Sequence, residues 1–127
     1  EVTSRAHARA RVQMKVSGTN HPLDEDVERE LTRIAREAVA NAVRHGDPEN
    51  IVLRLEFEGS MFGMEIRDDG RGFAGAPPDG SSGHFGLTGM KERAQAIGAT
   101  LTVESRPGEG TAVRLALGLG REMEKQS

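Results

Sequence analysis

The chain has 127 residues, room for one domain with a buried core and short of the length at which chains usually divide. The absence of Cys excludes a disulfide framework and a cysteine-based zinc site, and the net charge is -3. There is also no basic field for nucleic acid, and no apolar run near the roughly 18 to 20 residues of a membrane span, so contact with neither nucleic acid nor membrane is expected.

The first predicted element is a strand over 8–16, "ARARVQMKV". Ala10, Val12, Met14 and Val16 alternate there with Arg9, Arg11, Gln13 and Lys15, the period of a strand with one buried face. From Asp24 the period lengthens. Val27, Leu31, Ile34, Ala38 and Ala42 recur at steps of three and four behind an acidic "DED", and the run stops at Gly46 with Pro48 just beyond. This spacing predicts one amphipathic helix of about six turns. "IVLRLEFEGSMFGMEIRD" then reads as two strands joined at Gly59 and Ser60, with Ile51, Leu53, Leu55 and Phe57 alternating on the first and Phe62, Met64 and Ile66 on the second. "GFAGAPPDGSSG", 72–83, is too rich in Gly, Pro and Ser for helix or ladder and predicts a loop. Leu87, Met90, Ala94 and Ile97 mark a short helix ended by Gly98, and "TLTVES" and "TAVRLAL" form a second hairpin around "RPGEG". The predicted fold class is α+β, a two-layer α/β sandwich with helices on one face of a mixed, mostly antiparallel sheet.

Of 16 Gly, all but Gly18 and Gly46 follow position 58, so backbone freedom and close approach to a ligand are concentrated in the second half. Gly70-x-Gly72-x-x-Gly75 spells a dinucleotide fingerprint, but that fingerprint requires a helix to open at its last glycine. Here Ala-Pro-Pro-Asp-Gly follows, and the Rossmann reading fails. What remains is a strand end delivering Asp68 and Asp69 into a glycine-hinged turn, which is also ordinary turn chemistry. On the first helix, Glu37, Asn41, Arg44 and His45 fall on one strip bordering the apolar stripe. An acid, an amide, a cation and an imidazole at a core edge suit phosphates with a divalent cation, or simply a solvated helix end. "GHFGLTGMKERA", 83–94, runs a glycine-rich approach into a helix N-terminus, whose free amides can hold phosphate. "PGEGT", 107–111, is by itself a common hairpin turn.

In this order and spacing, the four segments resemble the GHKL-type ATP-binding family shared by bacterial sensor histidine kinases, gyrase-type topoisomerases, mismatch-repair ATPases and heat-shock chaperones. The resemblance covers about 24–117. "REAVANAVRHG" looks like the N box, "DDGRGF" like the first glycine box and "GHFGLTGMKERA" like the second. The wording "GHFGLTGMKER" with "NAVRHG" upstream is most similar to the nitrate-sensor-like class of histidine kinases, which work with response regulators carrying a helix-turn-helix output domain.

The resemblance implies that Asp68 accepts a hydrogen bond from the adenine amino group, that Gly70 and Gly72 let the backbone pass the base, and that Thr111 reaches the adenine edge. Asn41 would give the one protein oxygen on Mg²⁺, and Glu37 would orient water on that metal or act as a weak base. Arg44 and His45 would lie near the phosphates, and Gly83, His84, Phe85, Gly86 and Leu87 would hold the phosphate tail, with 73–85 as a lid. Without Trp or Tyr, the adenine would sit among aliphatic and Met side chains, with Met64, Ile66 and Leu87 as candidates.

The same resemblance implies a cytoplasmic ATP-binding catalytic domain, 1–127, that passes the ATP γ-phosphoryl group to a histidine on separate dimerisation helices of the same kinase. None of His7, His21, His45 and His84 has the helical, acid-followed setting of that acceptor, so ATP binding without autophosphorylation is expected of this chain alone. A start at Glu1 without Met or signal segment reads as a portion of something longer, with acceptor helices, sensor and any membrane anchor upstream. The competing readings are an anti-sigma-factor-type serine kinase of the same fold, a non-catalytic nucleotide sensor and a pure interaction domain.

Overall fold

A computed structural model describes residues 10–19, 22–72 and 87–119. Strand β1 (Arg11–Gly18) leads into helix α1 (Glu25–Asn41), which continues as one π turn, Ala42–Gly46. Strands β2 (Asn50–Glu58) and β3 (Met61–Asp68) form the first hairpin. Helix α2 (Leu87–Ala96) then precedes strands β4 (Thr100–Arg106) and β5 (Gly110–Gly118). The five strands form one sheet in the order β1-β2-β3-β5-β4, with β1 and β2 parallel and every other pair antiparallel. The α+β fold class and the mixed, mostly antiparallel sheet expected from the sequence are those observed.

The register explains the layers. Ile51, Leu53, Leu55 and Phe57 on β2 pair with Asp68, Ile66, Met64 and Phe62 on β3, and these in turn with Thr111, Val113, Leu115 and Leu117 on β5. Side chains alternate along a strand, so one register puts all these apolar residues on one face. Leu31, Ile34 and Ala38 of α1 and Leu87, Met90 and Ala94 of α2 are buried with that face in a single core. Phe57 and Phe62 add a tilted ring contact at 5.0 Å between centroids. The other face is polar, and Arg114 bridges β5 to its neighbours through Glu65 at 2.8 Å and Glu104 at 2.6 Å.

Two expectations need correction. The β1 alternation predicts a half-buried strand, yet Val12, Met14 and Val16 are 57%, 63% and 55% exposed. They share the apolar face, opposite Ile51, Leu53 and Leu55, but α1 settles over β3 and no described residue covers the β1 edge. Among the described residues the strand begins at Arg11, and the expected start at 8–9 lies outside them. The first helix is also not α-helical to Gly46. Its last turn is π, and Asp47 takes the left-handed conformation that would be expected of a glycine, with φ 49° and ψ 55°. Asp tolerates that region better than most residues. Gly46 is used for something else, as the site shows.

Candidate nucleotide site

The apolar face of the sheet ends in a polar row. Continuing the register past Ile66, Val113 and Val103 brings Asp68, Thr111 and Ser105 side by side, at the end of the sheet where α1 finishes. The Ser105 hydroxyl donates to the Gly110 carbonyl at 3.1 Å, and its oxygen lies 2.7 Å from the Thr111 hydroxyl. Asp68 is only 7% exposed, and it is the single buried charged residue among those described. Its Oδ1 accepts the Gly70 N–H at 2.8 Å. Burial pushes the Asp68 carboxyl above its ordinary pKa, the Gly70 and Thr111 backbones oppose this, and Asp69 adds to it. A carboxylate has about four acceptor sites, and the Gly70 and Thr111 backbones use only part of them, so this buried acid has room for a ligand that brings hydrogen-bond donors.

The turn that carries Asp68 is fastened on both sides. Arg71 N–H donates to the Gly46 carbonyl at 2.9 Å, and Gly108 N–H donates to the Arg71 carbonyl at 2.6 Å. Three glycines make these crossings possible. A Cβ at Gly70 would strike the Gly46 carbonyl, one at Gly72 the Arg106 carbonyl, and one at Gly110 the Asp68 carbonyl. Gly46 itself lies against Gly70 Cα and the Asp68 carboxylate, at 3.7 Å and 3.6 Å from where a Cβ would stand. Asp69 completes the fastening: its Oδ1 accepts the N–H groups of Glu49 at 2.8 Å and Asn50 at 2.9 Å, and its Oδ2 accepts the Asn50 amide at 2.9 Å. The Asn50 backbone bond, with the other donors, holds Asp69 below the usual carboxylate range against a smaller opposing effect of burial.

Between helix end and turn lies a cleft. Its polar lining is Asn41, His45, Asp68 and Thr111, its apolar walls are Ala38, Ala42, Ile66, Leu87, Val103 and Val113, and Gly46 and Gly72 close its rim. The structure thus gathers Asn41, His45, Asp68, Gly72, Leu87 and Thr111 from four separate stretches of sequence. Gly70 is buried behind the turn. Glu37 and Arg44 stand beside the cleft, where Arg44 Nη2 donates to Asn41 Oδ1 at 3.0 Å and lies 3.4 Å from Glu37 Oε2. Gly83, His84, Phe85 and Gly86 lie outside the described residues, as do His7 and His21. Of the three suggested adenine neighbours, Ile66 and Leu87 line the cleft. Met64, two residues back along β3, faces a groove beside α1 and β2 instead. Sequence reasoning missed Asp69, Gly46 and Gly110 as parts of the site. All three lie inside the quoted segments, but nothing in the sequence assigned them a role there, since their partners are remote in sequence.

The model of the histidine kinase-, DNA gyrase B- and HSP90-like ATPase family matches residues 26–121, and the chain belongs to that family. Among curated relatives it is similar to the signal transduction histidine-protein kinase/phosphatase DegS of Bacillus subtilis, 36% identical over 70% of this chain and 23% of the relative. DegS of Brevibacillus brevis is 29% identical over 94% of this chain and 31% of the relative. The sensor protein VraS of Staphylococcus haemolyticus is 33% identical over 76% and 27% respectively. The chain therefore matches less than a third of the length of each relative, and within that third it is a histidine kinase-type ATPase domain. Two solved structures share the fold. The histidine kinase domain of the Erythrobacter litoralis EL346 blue-light activated kinase superposes with a TM-score of 0.70 at 21% identity, covering 97% of this chain and 62% of that one. The catalytic domain of histidine kinase ThkA gives 0.68 at 11% identity, covering 93% and 82%.

Proposed function

We propose that this chain is the ATP-binding catalytic domain of a sensor histidine kinase, delivering the ATP γ-phosphoryl group to a histidine on a separate dimerisation domain. The observation that carries the reading is Asp68, a buried carboxylate with spare acceptor capacity at the polar end of an apolar cleft. It accepts the adenine amino N–H, while guanine would turn a carbonyl toward it and leave two acceptors opposed. Ile66, Val103, Val113 and Leu87 enclose the base, and Thr111 reaches its edge. The base points inward, so the phosphate chain runs out past His45 and Arg44 on the side of Leu87, the first residue of α2.

The donor set fits Mg²⁺. Asn41 offers one hard amide oxygen on the cleft wall, with the Glu37 carboxylate one helical turn away, and a hard ion that retains waters and phosphate oxygens needs few protein ligands. Bound there, the ion would neutralise charge developing on the phosphates. Asn41 holds its place and Glu37 orients water or weakly accepts a proton. In the transfer itself, the γ-phosphorus bond to the β-phosphate bridging oxygen breaks as a bond to the acceptor imidazole nitrogen forms, and ADP leaves. The acceptor belongs to another domain, so this chain alone binds ATP without autophosphorylating. The wording of 83–93 and 41–46 favours the nitrate-sensor-like class, a cytoplasmic placement and a response regulator with a helix-turn-helix output domain.

Calorimetric titration with a non-hydrolysable ATP analogue and Mg²⁺, then with the GTP analogue, tests the reading. Asp68→Asn is expected to weaken ATP binding roughly 10- to 100-fold, the value of a charge-assisted bond of about 1.5 to 3 kcal/mol, with the fold intact. Equal binding of both nucleotides, or none by folded wild type, would overturn it.

A further inference from the structure

The amide oxygen that best suits a metal already holds a cation. Arg44 Nη2 donates to Asn41 Oδ1 at 3.0 Å and sits 3.4 Å from Glu37 Oε2, so one guanidinium spans both oxygen groups assigned to the metal's surroundings. The backbone makes this reach possible. Asn41 ends the α-helical turns, and the five-residue π turn after it carries Arg44. Single π turns are rare and collect at functional positions. All three side chains are accessible: Arg44 is 51% and Glu37 41% exposed at the side chain, and Asn41 is half-buried on the cleft wall. An exposed pair of this kind is weak and breaks readily. A full-strength buried ion pair would instead close the site permanently.

From this geometry we infer that Arg44 is an internal competitor of Mg²⁺ for Asn41 Oδ1, and that the guanidinium moves off this oxygen, and off Glu37, when metal and nucleotide arrive. The inference rests on the proposed role of Asn41 as the metal's protein ligand. Two cations cannot share one amide oxygen at bonding distance without strong repulsion. The phosphates that accompany the metal offer the displaced guanidinium a better partner than an amide, because charge-assisted bidentate bonds to phosphate are its strongest. Arg44 therefore sets how much Mg²⁺ the site requires, and it stays beside Glu37 until metal and phosphates are both present. Without such a competitor, Asn41 and Glu37 would attract divalent cations in the absence of nucleotide.

The experiment measures the Mg²⁺ midpoint for binding of a non-hydrolysable ATP analogue in wild type, Arg44→Gln, Asn41→Ala and the double variant, with the Asn41 side-chain amide followed by NMR in wild type and Arg44→Gln. Competition predicts that Arg44→Gln lowers the midpoint about two- to five-fold, the range of an exposed ion-pair contact. Because the competition acts through Asn41, the shift must vanish when Arg44→Gln is made on Asn41→Ala. The Asn41 amide resonance should also move on Arg44→Gln before any metal is added. An unchanged or raised midpoint in Arg44→Gln overturns the inference. So does a lowered midpoint that persists on Asn41→Ala, which would place the effect on the phosphates. If Asn41→Ala leaves the Mg²⁺ midpoint of the otherwise wild-type chain unaltered, the metal role of Asn41 itself fails. If that variant shifts the midpoint and Arg44→Gln does not, only the competition fails.

Discussion

Asp68 and Asp69 are adjacent in sequence and opposite in physical situation. Asp68 turns into the core, where burial raises its pKa; Asp69 turns back over β2, where donors from Asn50 and Glu49 lower it. One carboxylate keeps acceptor capacity for a ligand, and the other spends its capacity on the fold, which is how neighbouring acids come to have separate roles. The consequence for stability has a definite sign. Asp69 has a folded-state pKa below its unfolded value, so its stabilisation is present above the unfolded value of about 3.9 and is lost as pH falls through the folded one. Asp69→Ala removes three accepted bonds and should cost on the order of 1 kcal/mol at neutral pH, a figure already reduced because the side chain is exposed. Urea unfolding of wild type and variant at pH 7 and at about pH 3 checks this. The gap should narrow at acid pH, and a gap of constant size would show that the charge has no part in it.

At the scale of elements, the two glycine segments obey different rules. Gly70 sits where chains cross, and a Cβ there would meet the Gly46 carbonyl and come within 2.9 Å of Asp68 Oδ1. Gly89 lies inside α2, where an added Cβ would find no atom of the described residues within 4 Å. Gly70→Ala should therefore cost more than about 2 kcal/mol, because backbone must move. Gly89→Ala should stabilise by about 0.5 to 1 kcal/mol through helix propensity. Thermal unfolding of both variants would show the opposite signs, and a destabilising Gly89→Ala would mean that the space beside α2 is not free. The sequence made the hairpin of β2 and β3 legible because alternation and a Gly-Ser turn are local signals. It could not show that β1 keeps its apolar residues in the open, since alternation tells which residues share a face and says nothing of whether a layer covers that face. Nor could it show the π turn, where the same residues follow one another with a different hydrogen-bond reach. Asp69 was illegible for a third reason: its partners are 19 and 20 residues away, and only the folded sheet brings them back.

Over the whole molecule, the candidate site occupies one end of the sheet. The end of α1, the start of β2, the end of β3, the end of β4 and the start of β5 all meet there, while the turn at Gly59 and Ser60 and the end of β5 lie at the other end. A nucleotide in the cleft would touch chain segments that are remote in sequence and joined here by only a few backbone and Asp69 hydrogen bonds. It would act as a cross-link between helix and sheet. Binding only the folded state stabilises that state by mass action, about 2.7 kcal/mol at a free ligand concentration 100 times Kd. The gain should not be spread evenly, because amides that exchange by local opening respond only where the ligand opposes that opening. Hydrogen exchange with and without the ATP analogue and Mg²⁺ is therefore expected to slow at 42–46 and 68–72 and around Thr111, and to change little at 58–61. Protection concentrated instead on β1 and the neighbouring face of α1 would move the nucleotide to the groove beside Met64. Protection equal at both ends of the sheet would mean that the ligand acts through global stability alone, with no local hold on the turn that carries Asp68.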